Sequence, residues 1–578
     1  LSGLGCAISL TKMSSLNSLS NRVIAYVGTL SRVKIGLFYL AIGLIVGFIL
    51  IYLINLSAYP FNDGDDLQGY LVLSRRILDE GYQGGDVFNL RAIVQGFGGG
   101  NYINAFFLQW MPLRFIHIAE GGLGLFLLLA LTSAYVRVEK NGVWQLIGGM
   151  VCICIFAIFI PIVNITPILS AAALAFGILL LAQKTQANCN FKIAFLLGLY
   201  AAGLTLLKGT LLVPAIIFCA AYYMSRMIQL QKWSVVTEAF VTLMSFMLLL
   251  TPWALINYNY FNTLFYPLLG SGLVTSGGFG LVGSDIFLDN LYQYHPLYLL
   301  VLATWFLFIC YEKSPTKIIF SHVLLAVLFV TTLLLAITPG GSFRYNFVLL
   351  TIPSIFFITS YLAIDEKNFK SPTGIISQVN TKRFLILVLI ISFALLGNQV
   401  KRVGRHLFEM GFYSRFIHIE DQSLKLNDPL SSHFSDRETI YQDLQNTIPV
   451  KATALVVVDE PYRFDFSRNR LFVADIPGTT GFKPGIPFQG NSLDLANYLL
   501  ANQIRYVIHT YKGWDEINDF DEMHSKIEWV RNQVIRFFAV NKQLLGLSKF
   551  YQPVLDNGSE RVFDLCDQSH KAFLVCGN

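Results

Sequence analysis

Asp63-Gly64-Asp65-Asp66-Leu67-Gln68-Gly69-Tyr70 begins a few residues beyond the first long apolar segment, and it sets three carboxylates within four residues. At a membrane surface such groups repel one another, so the cluster points to a site that needs local negative charge, a proton acceptor or a cation. Working outward, Tyr70, Leu73, Ile77 and Leu78 recur at helical spacing with Arg75, Arg76, Asp79 and Glu80 between them. This pattern predicts an amphipathic helix over 66–80 that lies along the membrane surface and is stopped by Gly81. Asp65 and Asp66 then stand at its N-terminus, where the helix dipole favours negative charge. The plain alternative is an Asx-type turn, Asn62-Asp63-Gly64-Asp65, that caps the helix.

Composition supplies the setting. Of 578 residues 54% are hydrophobic and 13% charged, with a mean hydropathy of +0.55. A soluble globular protein has about 45–50% apolar and about 25% charged residues, so the chain reads as an α-helical polytopic membrane protein. The net charge of +6 does not point to nucleic acid, because the Lys and Arg residues lie in short loops between apolar runs and not in a patch interleaved with aromatics.

Eleven transmembrane helices are predicted, at 36–56, 119–136, 143–162, 166–182, 193–207, 210–224, 235–254, 296–311, 318–337, 346–363 and 384–398, each near or below the ~20 residues that cross a bilayer. Lys208-Gly209 alone separates the fifth from the sixth, so one of that pair could be kinked or re-entrant. Alternate loops carry the cations: Lys12, Arg22, Arg32 and Lys34 in the N-terminal tail, then Arg137, Lys140, Lys184, Lys192, Arg226, Lys232, Lys313, Lys317, Lys367, Lys370, Lys382 and Arg383. The short loops on the other side carry only Lys208 and Arg344. This bias predicts a protein of the inner (plasma) membrane with residues 1–35 as a cytoplasmic tail and 36–398 as the membrane domain, whose first external loop is 61–118. Residues 1–20 lack a sustained apolar core, so the first span is expected to act as the insertion signal.

Residues 399–578 differ in character. β-rich runs at 454–458, 470–474, 505–509 and 561–565 alternate with helical stretches at 491–502 and 521–544, which predicts an external (periplasmic) soluble α/β domain. Cys152, Cys154, Cys219 and Cys310 fall in apolar spans and read as packing residues, whereas Cys566 and Cys576 allow a disulfide. Gly98-Gly99-Gly100 follows Arg91 and Gln95 but has no Gly-Lys-Ser/Thr partner, which argues against a nucleotide loop. Asp63-Gly64-Asp65 has a spacing that oxygen ligands to a divalent cation such as Mg or Mn would use. Asn164, Asp285, Asp289 and His295 on the external side could line a cavity, but a capping or loop role is the plainer reading.

A first span that ends in an acidic pair, the sequence Asp66-Leu67-Gln68-Gly69-Tyr70…Ser74-Arg75-Arg76-Ile77-Leu78…Gly81, eleven spans and an external C-terminal domain together resemble the GT-C glycosyltransferases, which include protein mannosyltransferases and aminoarabinose transferases. The motif covers about 20 residues, the architecture the whole chain. Asp-Asp stands where several relatives have Asp-Glu, and the absence of a Trp-Trp-Asp-type motif argues against an oligosaccharyltransferase. The resemblance implies transfer of a sugar from a polyprenyl-phosphate carrier to an acceptor (glycan, lipid or protein), usually with inversion. An acceptor hydroxyl then needs a carboxylate as general base, Asp66 first and Asp65 second, and the departing phosphate needs cations.

Lys208 and Arg344 are the nominees for that phosphate, because each breaks the charge bias and is costly to hold near lipid without an anionic partner. Their plain alternative is a side chain that snorkels to the headgroups. Arg344-Tyr345 beside Pro339-Gly340-Gly341 also resembles an Arg-Tyr found in some GT-C enzymes, while Tyr70, Arg75, Arg76 and Arg91 are further candidates for substrate binding. Other classes remain open from sequence: a transporter, flippase or polymerase of polyprenyl-linked glycans, or a non-catalytic GT-C scaffold in a membrane complex. The partners expected are the lipid-linked donor and membrane lipids.

The topology has a direct check. In a cysteine-labelling scan, positions near 90 and 480 should react with an impermeant reagent from outside, and positions near 188 and 375 only after the membrane is opened. A cytoplasmic 480 region would contradict the assignment.

Overall fold

The computed structural model describes residues 63–94, 98–136, 142–158, 165–184, 189–266, 270–275, 284–336, 346–362, 429–512 and 528–566, with isolated positions of the first span between 39 and 50. The predicted span at 384–398 lies outside them.

Two short helices, α1 (Leu71–Glu80) and α2 (Leu90–Val94), follow the acidic turn. Beyond them come α3 (Gly99–Leu108) in the loop and then the helices of the apolar runs: α4 (Ile116–Tyr135), α5 (Gly142–Ile158), α6 (Ile168–Lys184), α7 (Phe191–Leu207), α8 (Leu212–Leu230), α9 (Trp233–Phe261), α10 (Ser284–Tyr311), α11 (Pro315–Ala336) and α12 (Asn346–Leu362). Among the described residues four helical stretches are long and apolar enough to cross a membrane: Ile116–Tyr135, Gly209–Leu230, Trp233–Phe261 and Pro315–Ala336. Four shorter apolar stretches accompany them, at Ile168–Lys184, Phe191–Leu207, Tyr298–Cys310 and Val348–Ser360. Small residues let these helices approach closely, as expected where lipid gives no hydrophobic drive for association. At Gly198 of α7, a Cβ would come within 2.2 Å of the Thr242 carbonyl of α9. The α7–α8 junction is a break and not a smooth kink: extended Lys208 and a 3₁₀ turn at Gly209–Leu211 stand between one helix and the next.

Arg226 is not the loop cation its sequence position implies. It is buried in α8 and ion-paired to Glu238 of α9, which also accepts the Asn190 amide. Lys184, Lys192, Lys232, Lys313 and Lys317, by contrast, are exposed.

The C-terminal unit is a five-stranded sheet, β1 (Thr453–Val457), β2 (Arg470–Val473), β3 (Tyr506–Thr510), β4 (Pro553–Asp556) and β5 (Glu560–Asp564), in the order β2-β1-β3-β5-β4. β2, β1 and β3 run parallel, and β5 and β4 close the edge antiparallel. Both faces of β1 and β3 are covered, as a parallel sheet requires. One core gathers Leu455, Val507, Val540 and Leu544; the other gathers Ala454, Val456, Tyr506 and Ile508 with Tyr441 and Leu444. Their helices are α13 (Pro429–Asn446), α14 (Ser492–Ala501) and α15 (Glu528–Gly546). Cys566 is disulfide-bonded.

The first half of the stretch expected as a surface helix is enclosed, while Arg75 and Glu80 stay exposed. Asp63–Tyr70 is π-helical and runs directly into α1. Gly81 ends α1 at φ +83, with its amide bonded to the Ile77 carbonyl. Leu67, Tyr70, Leu71 and Val72 belong to one core of the C-terminal sheet, Leu73 and Leu90 to the other. A helix lying on lipid would leave one face wet; here Arg76 is itself only 4% exposed. Its guanidinium donates to Asp86 Oδ2 at 3.0 Å and to the Leu471 carbonyl of β2 at 2.8 Å. Asp86 accepts in turn from the amides of Val473 and Phe88. Burial pushes the Asp86 carboxyl above its ordinary range, with Arg76 and the two amides pulling the other way.

Removing one partner of such a pair leaves an uncompensated buried charge, at about 3–5 kcal/mol. Arg76→Ala should therefore loosen the 81–98 loop from β2, seen as rapid limited proteolysis there in purified protein. Parent-like resistance would show that the pair is dispensable.

Candidate active site

The acidic turn enters the core through Asp66, whose side chain is fully buried and accepts the Ile165 amide on Oδ1 at 2.9 Å. That amide lies 99 residues away, in the loop before α6. One turn further, Tyr70 is 5% exposed, and its own carbonyl accepts the Ser74 hydroxyl at 2.9 Å. π-Helical turns insert an extra residue and are frequent at functional sites. Here the turn ends on Tyr70, where Lys208 arrives from the α7–α8 junction.

Lys208 is 6% exposed. Its Nζ donates to the Tyr70 hydroxyl at 3.3 Å and stands 5.4 Å from the centre of the same ring. An extended backbone at φ −156 and ψ 127 ends α7 at this residue and turns the lysine inward. The fold thus joins two sequence nominees, Asp66 and Lys208, through a third, Tyr70. A buried aspartate and, at Tyr70 one turn on, a buried lysine are costly to hold in apolar surroundings without partners, and such groups concentrate at functional sites.

The other cationic nominees are engaged elsewhere. Arg75 is exposed and pairs with Asp79 one turn on, at 3.0 Å. Arg76 is enclosed with Asp86. Arg91 donates Nη1 to Asp475 Oδ2 at 2.9 Å, and the amides of Leu90 and Arg91 reach the same carboxylate at 2.7 and 3.0 Å. Gly69 of the motif is small for this reason: a Cβ there would lie 2.2 Å from Arg91 Cδ. Arg344 and Tyr345 lie outside the described residues, as do Asn164 and the side chains of Asp63, Asp65, Asp285, Asp289 and His295. Among the described residues no group of three His, Cys, Asp or Glu side chains is placed to hold a metal.

Sequence reasoning passes over Asp86 and Asp475, which hold the loop to the sheet, and Glu120, whose Oε1 accepts the Ser170 amide at 2.8 Å. The signal for Glu120 is present: it is the one carboxylate among the twenty residues of α4, which carries no lysine or arginine.

No family model and no curated protein matches the chain. Two solved structures resemble it over 92% of its length and 98% of theirs: ArnT from Cupriavidus metallidurans in the apo state, at 11% identity and a TM-score of 0.48, and the same protein bound to undecaprenyl phosphate, at 9% identity and a TM-score of 0.48.

Tyr70→Phe takes the hydroxyl from Lys208 and should lower thermal stability by about 1.5–3 kcal/mol, the range for hydrogen bonds to charged groups. Adding Lys208→Met should then cost less than the same change does in the parent, because residues that share one contact are non-additive. Losses that simply add would mean the two side chains act independently.

Proposed function

We propose that the chain is a membrane glycosyltransferase of the GT-C type, which moves a sugar from a polyprenyl-phosphate carrier to an acceptor on the external face. The observation that carries this reading is that Lys208 meets Tyr70 one turn from buried Asp66. Transfer from a phosphate carrier needs opposite charges close together. The acceptor hydroxyl gives up its proton as its oxygen bonds to the anomeric carbon; the bond from that carbon to the phosphate oxygen breaks, and its electron pair stays with the phosphate. In this reading Asp66 takes the proton and Lys208 offsets the charge that grows on the leaving phosphate. Attack opposite the phosphate inverts the anomeric centre.

Arg344 and Tyr345 are proposed as further contacts to the carrier, and Asp65 as an alternative base. A divalent cation, Mg or Mn, at Asp63 and Asp65 belongs to the proposal as an option that chelation would test. Eleven spans, a cytoplasmic N-terminus and an external C-terminal unit complete it. Arg76 and Arg91 are committed to Asp86 and Asp475, whereas Lys208 reaches Tyr70 of the acidic turn, and this contact supports Lys208 as the cation of the site.

The reading is tested at the base. Asp66→Asn in purified, reconstituted protein should keep undecaprenyl phosphate binding but lower sugar transfer by about 10²–10⁴, the usual contribution of a positioned acid–base group. Full transfer in Asp66→Asn, Asp65→Asn and the double variant would remove the carboxylate mechanism.

A further inference from the structure

Glu120 stands on α4 and spends Oε1 on the amide of Ser170, the third residue of α6. The first amides of a helix have no partner within it and present the positive end of the dipole, so a carboxylate there acts as a cap. Caps normally come from the residues just before the helix. Thr166 is in that place, yet its hydroxyl is buried and has no partner among the described residues. The capping duty has passed to a carboxylate on another helix, in a span where a charge is costly.

The closeness of α4 and α6 makes this possible. At Gly124, one turn below Glu120, a Cβ would lie 2.5 Å from the Ser170 amide nitrogen. Any larger residue there would push the two helices apart.

The segment that Glu120 grips is the one that holds the base. Ile165, five residues before Ser170, gives its amide to Asp66 Oδ1 at 2.9 Å. Between them the chain has little slack: the Ile168 amide bonds back to the Thr166 carbonyl at 2.9 Å, and Pro167 has a fixed φ. Pro167 is also backed by α3, where a Cβ on Gly100 would lie 3.0 Å from its ring. One short, stiff turn is thus fastened at one end by Glu120 and offers its other end to Asp66.

We propose that Glu120 is a positioning residue, which aims the Ile165 amide and through it the carboxylate of Asp66. The proposal rests on the transferase reading for its kinetic consequence, but not for its structural one. A simple helix cap would cost stability alone when removed; a positioning residue also governs the turnover of a group that it does not touch.

The test compares Glu120→Ala with Glu120→Gln, whose side-chain oxygen still accepts the Ser170 amide. Hydrogen exchange over 165–170 should speed up at least tenfold in Glu120→Ala and stay near parent in Glu120→Gln. In sugar transfer, Glu120→Ala should lose about 10–100-fold in kcat, the scale of a misplaced catalytic group. KM should change little. Glu120→Gln should keep kcat within about threefold. Undecaprenyl phosphate should bind parent and both variants alike. Unchanged exchange and kcat in Glu120→Ala overturn the proposal, as does a Glu120→Gln variant as impaired as Glu120→Ala. If the parent neither binds undecaprenyl phosphate nor transfers sugar, the transferase reading fails instead, and the exchange measurement alone decides whether Glu120 holds Ile165.

Discussion

The guanidinium of Arg76, shut away from water between the Asp86 carboxylate and the Leu471 carbonyl, fixes where the acidic turn sits. A charge buried in this way is tolerated only with nearly complete pairing, so the contact allows few alternative positions for α1. Asp86 extends the constraint by taking the Val473 amide, and Asp475, two residues on, takes the side chain and the amide of Arg91. The helix that begins just after the acidic turn is therefore docked on the end of β2, not draped on lipid. The C-terminal sheet backs the site as a wall.

On the other side the site is closed by the membrane helices. Asp66 takes an amide from the turn before α6, and Tyr70 takes Lys208 from the end of α7. Replacing buried ionisable groups by apolar ones of the same shape is often neutral or stabilising. Local departures of this kind, a π-turn, a lysine turned inward and a carboxylate inside a span, are expected where function requires them and the surrounding fold can carry the cost. Their concentration around one turn is the physical basis of the functional reading.

Much of this is legible in the sequence, and the reason can be given residue by residue. The apolar runs put helices α4 to α7 within a few residues of their ends, because span length is set by the bilayer and not by any partner. Gly81 marks the end of α1, since only glycine takes that φ without strain. Lys208 stands out as a cation on the sparse side of the charge bias. Pairing over long separations is what cannot be read. The amphipathic spacing of 66–80 is the same whether its apolar face meets lipid or a sheet, and Arg76 carries no mark of Leu471, 395 residues away. Arg226 misleads for the same reason: a count of loop charges does not see its buried partner Glu238. β4 begins at a proline and is only four residues long, which leaves too little pattern to find it.

The central claim is that Lys208 and Asp66 face one phosphate-linked substrate. A cryo-EM structure of the protein with undecaprenyl phosphate in a lipid nanodisc tests it most directly. The phosphate is expected within about 4 Å of Lys208 Nζ, the reach of an ion pair, on the side of Tyr70 that faces Asp66. A phosphate bound elsewhere, with Lys208 still closed on Tyr70, would contradict the claim.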